Sequence, residues 1–245
     1  SRSWESGVLD SFSIDPSTVA NFMSALGSRY HPNPYHNFNH AVHVLHGCFV
    51  QLSWGVGDQA SPLTPLQTFA LLIASLLHDV EHPGVTNAFL TRTGAPLALR
   101  YNDRSVLENH HAATAFEILA LPSCDMLASL HPIQRSEARE YIITTIFATD
   151  MAHHHHLVSE LSQYAATQQT IPPTAVLRAF CHVADLANPV LRWHLSEPWA
   201  RRVGLEAVNQ SNEEVALGLQ PLTKLTPYTR EELVARQIVF LDDWV

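Results

Sequence analysis

Apolar residues return along this chain at the three- and four-residue spacing of a helix rather than in the alternation of a strand. Phe69, Leu72, Ile73, Leu76 and Leu77 keep that register, as do Ile142, Ile143 and Ile146. No stretch alternates in the way a half-buried strand requires. Proline marks the starts: Asp15-Pro16-Ser17, Ser61-Pro62, Thr64-Pro65, His131-Pro132 and Ile171-Pro172-Pro173 each place a proline where a first turn can use one, because its missing N–H has no intrahelical partner there. The pattern predicts about ten helices joined by short loops. Longer loops are expected over 53–65 and 218–229, where Gly, Pro, Ser and Thr gather. The fold class is therefore all-α. Chemistry-bearing residues lie on both sides of each long loop, so the chain is read as one domain over 1–245, with no internal repeat.

Composition sharpens the picture. With 245 residues and 46% hydrophobic positions the chain can bury a large core, yet only 15% of positions are charged while 16 are His. That much imidazole suggests metal or proton chemistry. A net charge of −9 with 14 Lys and Arg excludes a nucleic-acid partner, whose phosphates call for clustered cations. A small anionic substrate would instead need metal ions to offset the repulsion. The 69–77 apolar run is too short to span a bilayer and the start lacks a basic-then-apolar leader, so no membrane insertion by this segment is expected. Cys48, Cys124 and Cys181 form no CxxC pair and leave an odd thiol, which points to core positions in a reducing, cytoplasmic setting. The tract 153–156 is four His in a row. Neighbours on a helix point about 100° apart, so the four cannot face one ion, and a partly solvated helix face is expected.

The informative segment is 78–84, HDVEHPG, where His78 and Asp79 adjoin at the end of an apolar helix. Imidazole suits a zinc-like ion, and a carboxylate can bridge two cations. Two further segments, 35–40 (YHNFNH) and 182–189 (HVADLANP), put His40 and Asp185 on apolar stretches of their own. A carboxylate buried in a core needs a cation or a hydrogen-bonded partner. His40, His78, Asp79 and Asp185 are therefore grouped as ligands of one ion. A second ion, Mg²⁺ or Mn²⁺, would be held by Asp79 and mostly by water.

These motifs resemble the catalytic core of the class I cyclic-nucleotide phosphodiesterases, of the HD-type metal phosphohydrolase superfamily. HNxxH (36–40), HDVEHPG, YND with SVLENHH (101–111), ATDM (148–151) and DLANP (185–189) follow that family's order and approximate spacing from about residue 35 to the end. The resemblance implies a compact multi-helix catalytic domain that hydrolyses 3′,5′-cyclic nucleotides, cAMP favoured over cGMP, to 5′-nucleoside monophosphates. It makes His40, His78, Asp79 and Asp185 the Zn²⁺ ligands, with Asp79 bridging to Mg²⁺ (or Mn²⁺). His82, Glu108 and Thr149 would hold the waters of the second ion, with Asp150 in the same polar network. A metal-activated hydroxide would attack phosphorus while His36, oriented by Glu206, protonates the leaving oxygen. Gln237 would read the purine edge and Phe240 stack on the base, with Val203 on its other face and Tyr35, Met151, Asn188 and Trp199 completing the pocket.

The pattern also departs from the family's. His43 stands where an Asp is common, Glu81 replaces the second Asp of the HDxDHPG run, and Asn212 replaces the Asp of a GDxExxxG stretch. None is an expected ligand, so metal binding should survive, and Asn212 is expected to alter the nearby loop. His43, His46, His110, His111, His182 and His194 are read as core or supporting residues. The chain ends soon after Phe240, where family members carry a further helix or two, so it is read as short of the terminal helices, with regulatory domains outside it. Two alternatives differ in class: another HD-type nucleotide phosphohydrolase would not require His36, Gln237 and Phe240, and a silent cyclic-nucleotide-binding module would not require an intact ligand set.

Overall fold

The computed structural model describes residues 11–55 and 62–244, which form helices and no strand. In chain order these are α1 (Pro16–Arg29), α2 (Phe38–Ser53), α3 (Pro65–Leu77), α4 (Asn87–Thr93), α5 (Pro96–Tyr101), α6 (Val106–Leu119), α7 (Pro132–Phe147), α8 (His154–Thr167), α9 (Pro173–Asp185), α10 (Trp193–Ala216) and α11 (Arg230–Trp244). Short 3₁₀ turns cover Met151–His153 and Asn188–Val190. The 218–229 loop is present as expected, while part of the expected 53–65 loop, like Ser61 of the Ser61-Pro62 signal, lies outside the described residues.

The helix starts follow local chemistry. The Asp15 side chain accepts from Ser17 N–H ahead of Pro16, and Thr64 and Gln67 make a reciprocal capping box around Pro65. Pro132 and Pro173 likewise open α7 and α9. α3 is apolar nearly all round, and all its residues but Pro65 and Leu72 are buried, as expected of a helix at the centre of a bundle. It packs on α2 and α7, and α9 packs across α2 and α7. One core cluster joins Phe69, Leu77, Ile118, Ile142 and Ile146, and a second joins Val44, Cys48, Leu71, Leu177 and Cys181. The second places α2, the middle of α3 and α9 in contact, so the His40 end of α2, the C-terminus of α3 and the C-terminus of α9 reach one place.

Candidate active site

Four ligand atoms meet there. His40 Nε2 lies 2.9 Å from Asp185 Oδ1 and 3.3 Å from Asp79 Oδ2, and His78 Nε2 lies 3.1 Å from Asp79 Oδ2 and 3.5 Å from Asp185 Oδ1. Ligands about 2.0–2.1 Å from a tetrahedral ion stand about 3.3 Å from one another, so these separations suit a cation. His78 Nδ1–H donates to Ser75 O at 2.9 Å, which leaves Nε2 as the bare nitrogen. His78 Nε2 and Asp79 Oδ2 are buried and make no hydrogen bond despite their approach, as atoms facing an ion would. Burial disfavours charge on Asp79 and Asp185, but His78 foremost, when its ring is protonated, outweighs burial and holds both carboxyls below the usual range. The other Asp79 oxygen, Oδ1, turns towards His111 Nε2 at 3.8 Å, and Asp79, His82 and His111 form a second group able to hold an ion. Asp79 is common to both groups.

The turn between Asp79 and His82 is held from outside. Glu81 takes a left-handed conformation at φ 60° and its carboxylate meets Arg29 Nε at 2.5 Å, His110 Nε2 at 2.9 Å and Thr114 Oγ1 at 3.1 Å. Gly84, at φ 79°, passes so close to Asn33 that a Cβ would sit 2.9 Å from its Oδ1. Asn33 in turn donates to the carbonyls of His82 and His36.

His36 is fixed by Glu206, on α10, whose Oε1 accepts a short hydrogen bond from its Nδ1. Oε2 of the same carboxylate accepts from the backbone N–H of Tyr35 at 2.9 Å and of His36 at 3.0 Å. Burial opposes the imidazolium, yet Asp79 and Glu206 outweigh it, so the pKa of His36 is raised. His82, stacked on His36 at 3.8 Å, is pushed the other way by burial and by His36, and stays neutral. Burial likewise lowers His111 to about 4 and raises Glu108 to about 7.

A cavity of about 590 Å³ opens over these groups. Every expected catalytic, metal-holding or pocket residue lines it except His40 and His78, which are fully buried and face Asp79 and Asp185. Gln237 and Phe240 come from α11, and Trp199 and Val203 from α10. Asn188 Nδ2 donates to Tyr35 Oη at 2.6 Å, while its Oδ1 is buried and unpartnered. Thr149 Oγ1 donates to Ile146 O. Asp150 is occupied within the chain: Oδ1 caps the 3₁₀ turn at Ala152 N and Oδ2 accepts from Ser105 Oγ at 2.7 Å.

Several residues sit differently from their sequence reading. His46 and His194 are exposed rather than core. His154 of the tract is buried and shares a hydrogen bond with His182 at 2.9 Å, whereas His155 and His156 are exposed. Asn212 does not reach the 218–229 loop but donates back to Val208 O. Glu214 and Ser211 hold that loop through Leu222 N and Thr223 N. His111, read as supporting, and Asn87, not singled out, both face the site. Nothing in the spacing of HPGVTN (82–87) marks Asn87 as a site residue.

The chain matches the family model described as 3′5′-cyclic nucleotide phosphodiesterase over residues 35–245. It belongs to that family. A probable 3′,5′-cyclic-AMP phosphodiesterase of Caenorhabditis elegans is 36% identical over 85% of this chain and 32% of its own length. The 3′,5′-cyclic-AMP phosphodiesterase 4C of Rattus norvegicus is 35% identical over 88% of this chain and 42% of its own. The chain thus spans well under half of these relatives. The phosphodiesterase domain of the RhoPDE fusion protein from the choanoflagellate Salpingoeca rosetta superposes with a TM-score of 0.91 at 33% identity, over 98% of this chain and 77% of that one. Within the phosphodiesterase family the all-α fold expected from periodicity is therefore the catalytic-domain fold.

Proposed function

We propose that this chain hydrolyses 3′,5′-cyclic nucleotides, cAMP ahead of cGMP, to 5′-nucleoside monophosphates. The observation that carries the reading is one cavity in which a four-residue His/Asp ligand set stands beside a histidine tied to a buried carboxylate. His40, His78, Asp79 and Asp185 would hold Zn²⁺, and Asp79 on the side of His82 and His111 would share a second ion, Mg²⁺ or Mn²⁺. Bound there, the ions supply the charge that offsets the phosphate and acidifies water.

The chain's own residues do the rest. Glu206 accepts a hydrogen bond from the Nδ1–H of His36, orients the ring and favours the imidazolium, so Nε2 carries the proton given to the leaving 3′ oxygen. His82, neutral and stacked on His36, accepts from Gly84 N–H at Nδ1 and keeps Nε2 for a water. Glu108 and Thr149 offer further acceptors along the same wall. Phe240 and Val203 form an apolar slot for a purine, and Gln237 meets its edge. The unpartnered Asn188 Oδ1 suits the exocyclic amine of adenine better than the oxygen of guanine, which supports cAMP. The names of the relatives agree with it. Three free, buried cysteines suit a reducing cytoplasm, and residues 1–245 are read as a single catalytic unit. No helix among the described residues is long and apolar enough to cross a membrane.

The test is hydrolysis of cAMP and cGMP by metal-reconstituted protein, with His36→Ala and Asp185→Ala beside it. Asp185→Ala should lose zinc and turnover together. His36→Ala should keep zinc and lose about 10²–10⁴ in rate. Normal hydrolysis by both variants would end the assignment.

A further inference from the structure

Asn87 is the first residue of α4, and its side chain makes bonds in two directions. Nδ2 donates to Glu108 Oε2 at 3.0 Å and Oε1 at 3.3 Å, while Oδ1 accepts from Leu107 N–H at 2.8 Å. Both contacts fall on the first turn of α6. That turn needs an outside partner, because Ser105 at its N-cap has φ 40° and makes no capping bond, its hydroxyl being spent on Asp150. Asn87 therefore caps α6 from a neighbouring helix and grips the carboxylate one residue on. Among the described residues no other side chain bonds to Glu108, which is buried and lines the cavity.

Asn87 is itself held. The preceding residue, Thr86, donates its N–H to Gln210 Oε1 at 2.9 Å, and Gln210 Nε2 donates to Glu214 Oε1 at 3.1 Å. Gln210 and Glu214 are buried on α10, and Glu214 also accepts from Leu222 N–H. A buried carboxylate with no fixed donor can rotate or take up a proton, and either change alters what it offers to water near a cation.

We propose that Asn87 is a positioning residue that aims the Glu108 carboxylate at the cation position beside Asp79, on the side of His82 and His111. The inference rests on the metal-dependent reading above, but its test does not depend on turnover. Asn87→Asp retains an oxygen to accept from Leu107 N–H, so the cap survives, and replaces the donor facing Glu108 by a second oxygen. The probe is Mn²⁺, titrated calorimetrically into zinc-loaded protein. Asn87→Asp should bind Mn²⁺ about tenfold or more weakly, with a melting temperature close to the parent's in chelator. Asn87→Ala should weaken Mn²⁺ binding in the parent and add nothing in a Glu108→Gln background, a cycle that also serves if Asn87→Asp does not fold. Parental Mn²⁺ affinity in Asn87→Asp, or an Asn87→Ala effect that adds in full to Glu108→Gln, overturns the proposal. Failure of the parent to hydrolyse cyclic nucleotides would overturn the functional reading alone, since the Mn²⁺ titrations still decide the role of Asn87.

Discussion

Gly47 on α2 lies against Ala184 on α9 so closely that a Cβ on the glycine would stand 2.9 Å from the alanine Cβ. His40 lies two turns before Gly47 on α2 and Asp185 directly follows Ala184 on α9, and the two stand 2.9 Å apart at their polar atoms. Neighbours on either side cannot yield easily, because Ala184 and Cys48 are both buried in the second core cluster. Gly47→Ala should therefore cost about 1–3 kcal/mol and lower zinc content. Gly27 on α1 is the control: nothing lies within 4 Å of its Cβ position, and Gly27→Ala should stabilise by about 1 kcal/mol. Thermal melts and metal analysis of the two variants check the pair, and equal behaviour would mean the close approach does not matter.

Metal removal should be felt as lost stability. Without cations, Asp79 Oδ2, His78 Nε2 and His40 Nδ1 remain buried and unpartnered, whereas an ion that binds only the folded chain stabilises it by mass action. At a hundred times its dissociation constant the gain is about 2.7 kcal/mol, or about 5–10 °C for a chain of this size. Chelation should lower the melting temperature by that order and Zn²⁺ should restore it. The shift should vanish in Asp185→Ala, and its persistence there would place the stabilising ion elsewhere.

What was legible in the sequence is what local rules determine. Asp15-Pro16 and Thr64-Pro65 announce helix starts because capping and the missing proline N–H act within four residues. The run to Leu77 reads as an apolar helix because Phe69, Leu72, Ile73, Leu76 and Leu77 recur at helical spacing. The ligand set was legible because a family's ordered motifs carry it. Contacts made across the fold were not. Glu81 reads as a conservative departure, but its left-handed turn and its ties to Arg29 and His110 depend on how α1 and α6 pack against the 78–82 turn. The phase of a His run cannot be read from four identical letters, so the inward turn of His154 towards His182 was invisible. Asn87 joins the same class, since its partners lie twenty residues on and are brought near by the α4–α6 packing.

Replacing Glu206 by Gln should move a pH profile in a stated direction. The pKa of His36 is raised because Asp79 and Glu206 outweigh burial, so removing one carboxylate lowers it. The acid form of His36 then disappears earlier, and the alkaline limb of kcat/KM should shift to lower pH. Stability obeys the same sign. A histidine with a raised folded pKa stabilises below its unfolded value, near 6.5, and that contribution fades as pH rises through the folded pKa. Glu206→Gln should thus cost more stability at pH 6 than at pH 9. An unmoved alkaline limb would assign that limb to another group.

Glu108 gives the same sign of pH dependence from a different cause, burial of the carboxyl rather than a charged partner. Burial raises its carboxyl from an ordinary 4.5 to about 7, with Asp150 and Asp79 adding to the rise and the Asn87 bonds opposing it. The folded chain then holds a proton that the unfolded chain has released between those two values, so metal-free stability should fall as pH climbs from 4.5 to 7 and level off above. The gap corresponds to about 3 kcal/mol at most. Glu108→Gln cannot ionise and escapes the penalty, so in chelator it should match the parent near pH 4.5 and exceed it at pH 8. Adding Mg²⁺ should close the gap from the parent's side, because a cation nearby relieves the ionised carboxylate. Melts across that pH range, with and without Mg²⁺, test both steps. A parent as stable as Glu108→Gln at pH 8 in chelator would show that Glu108 ionises without cost, and that its environment is wetter than its burial implies.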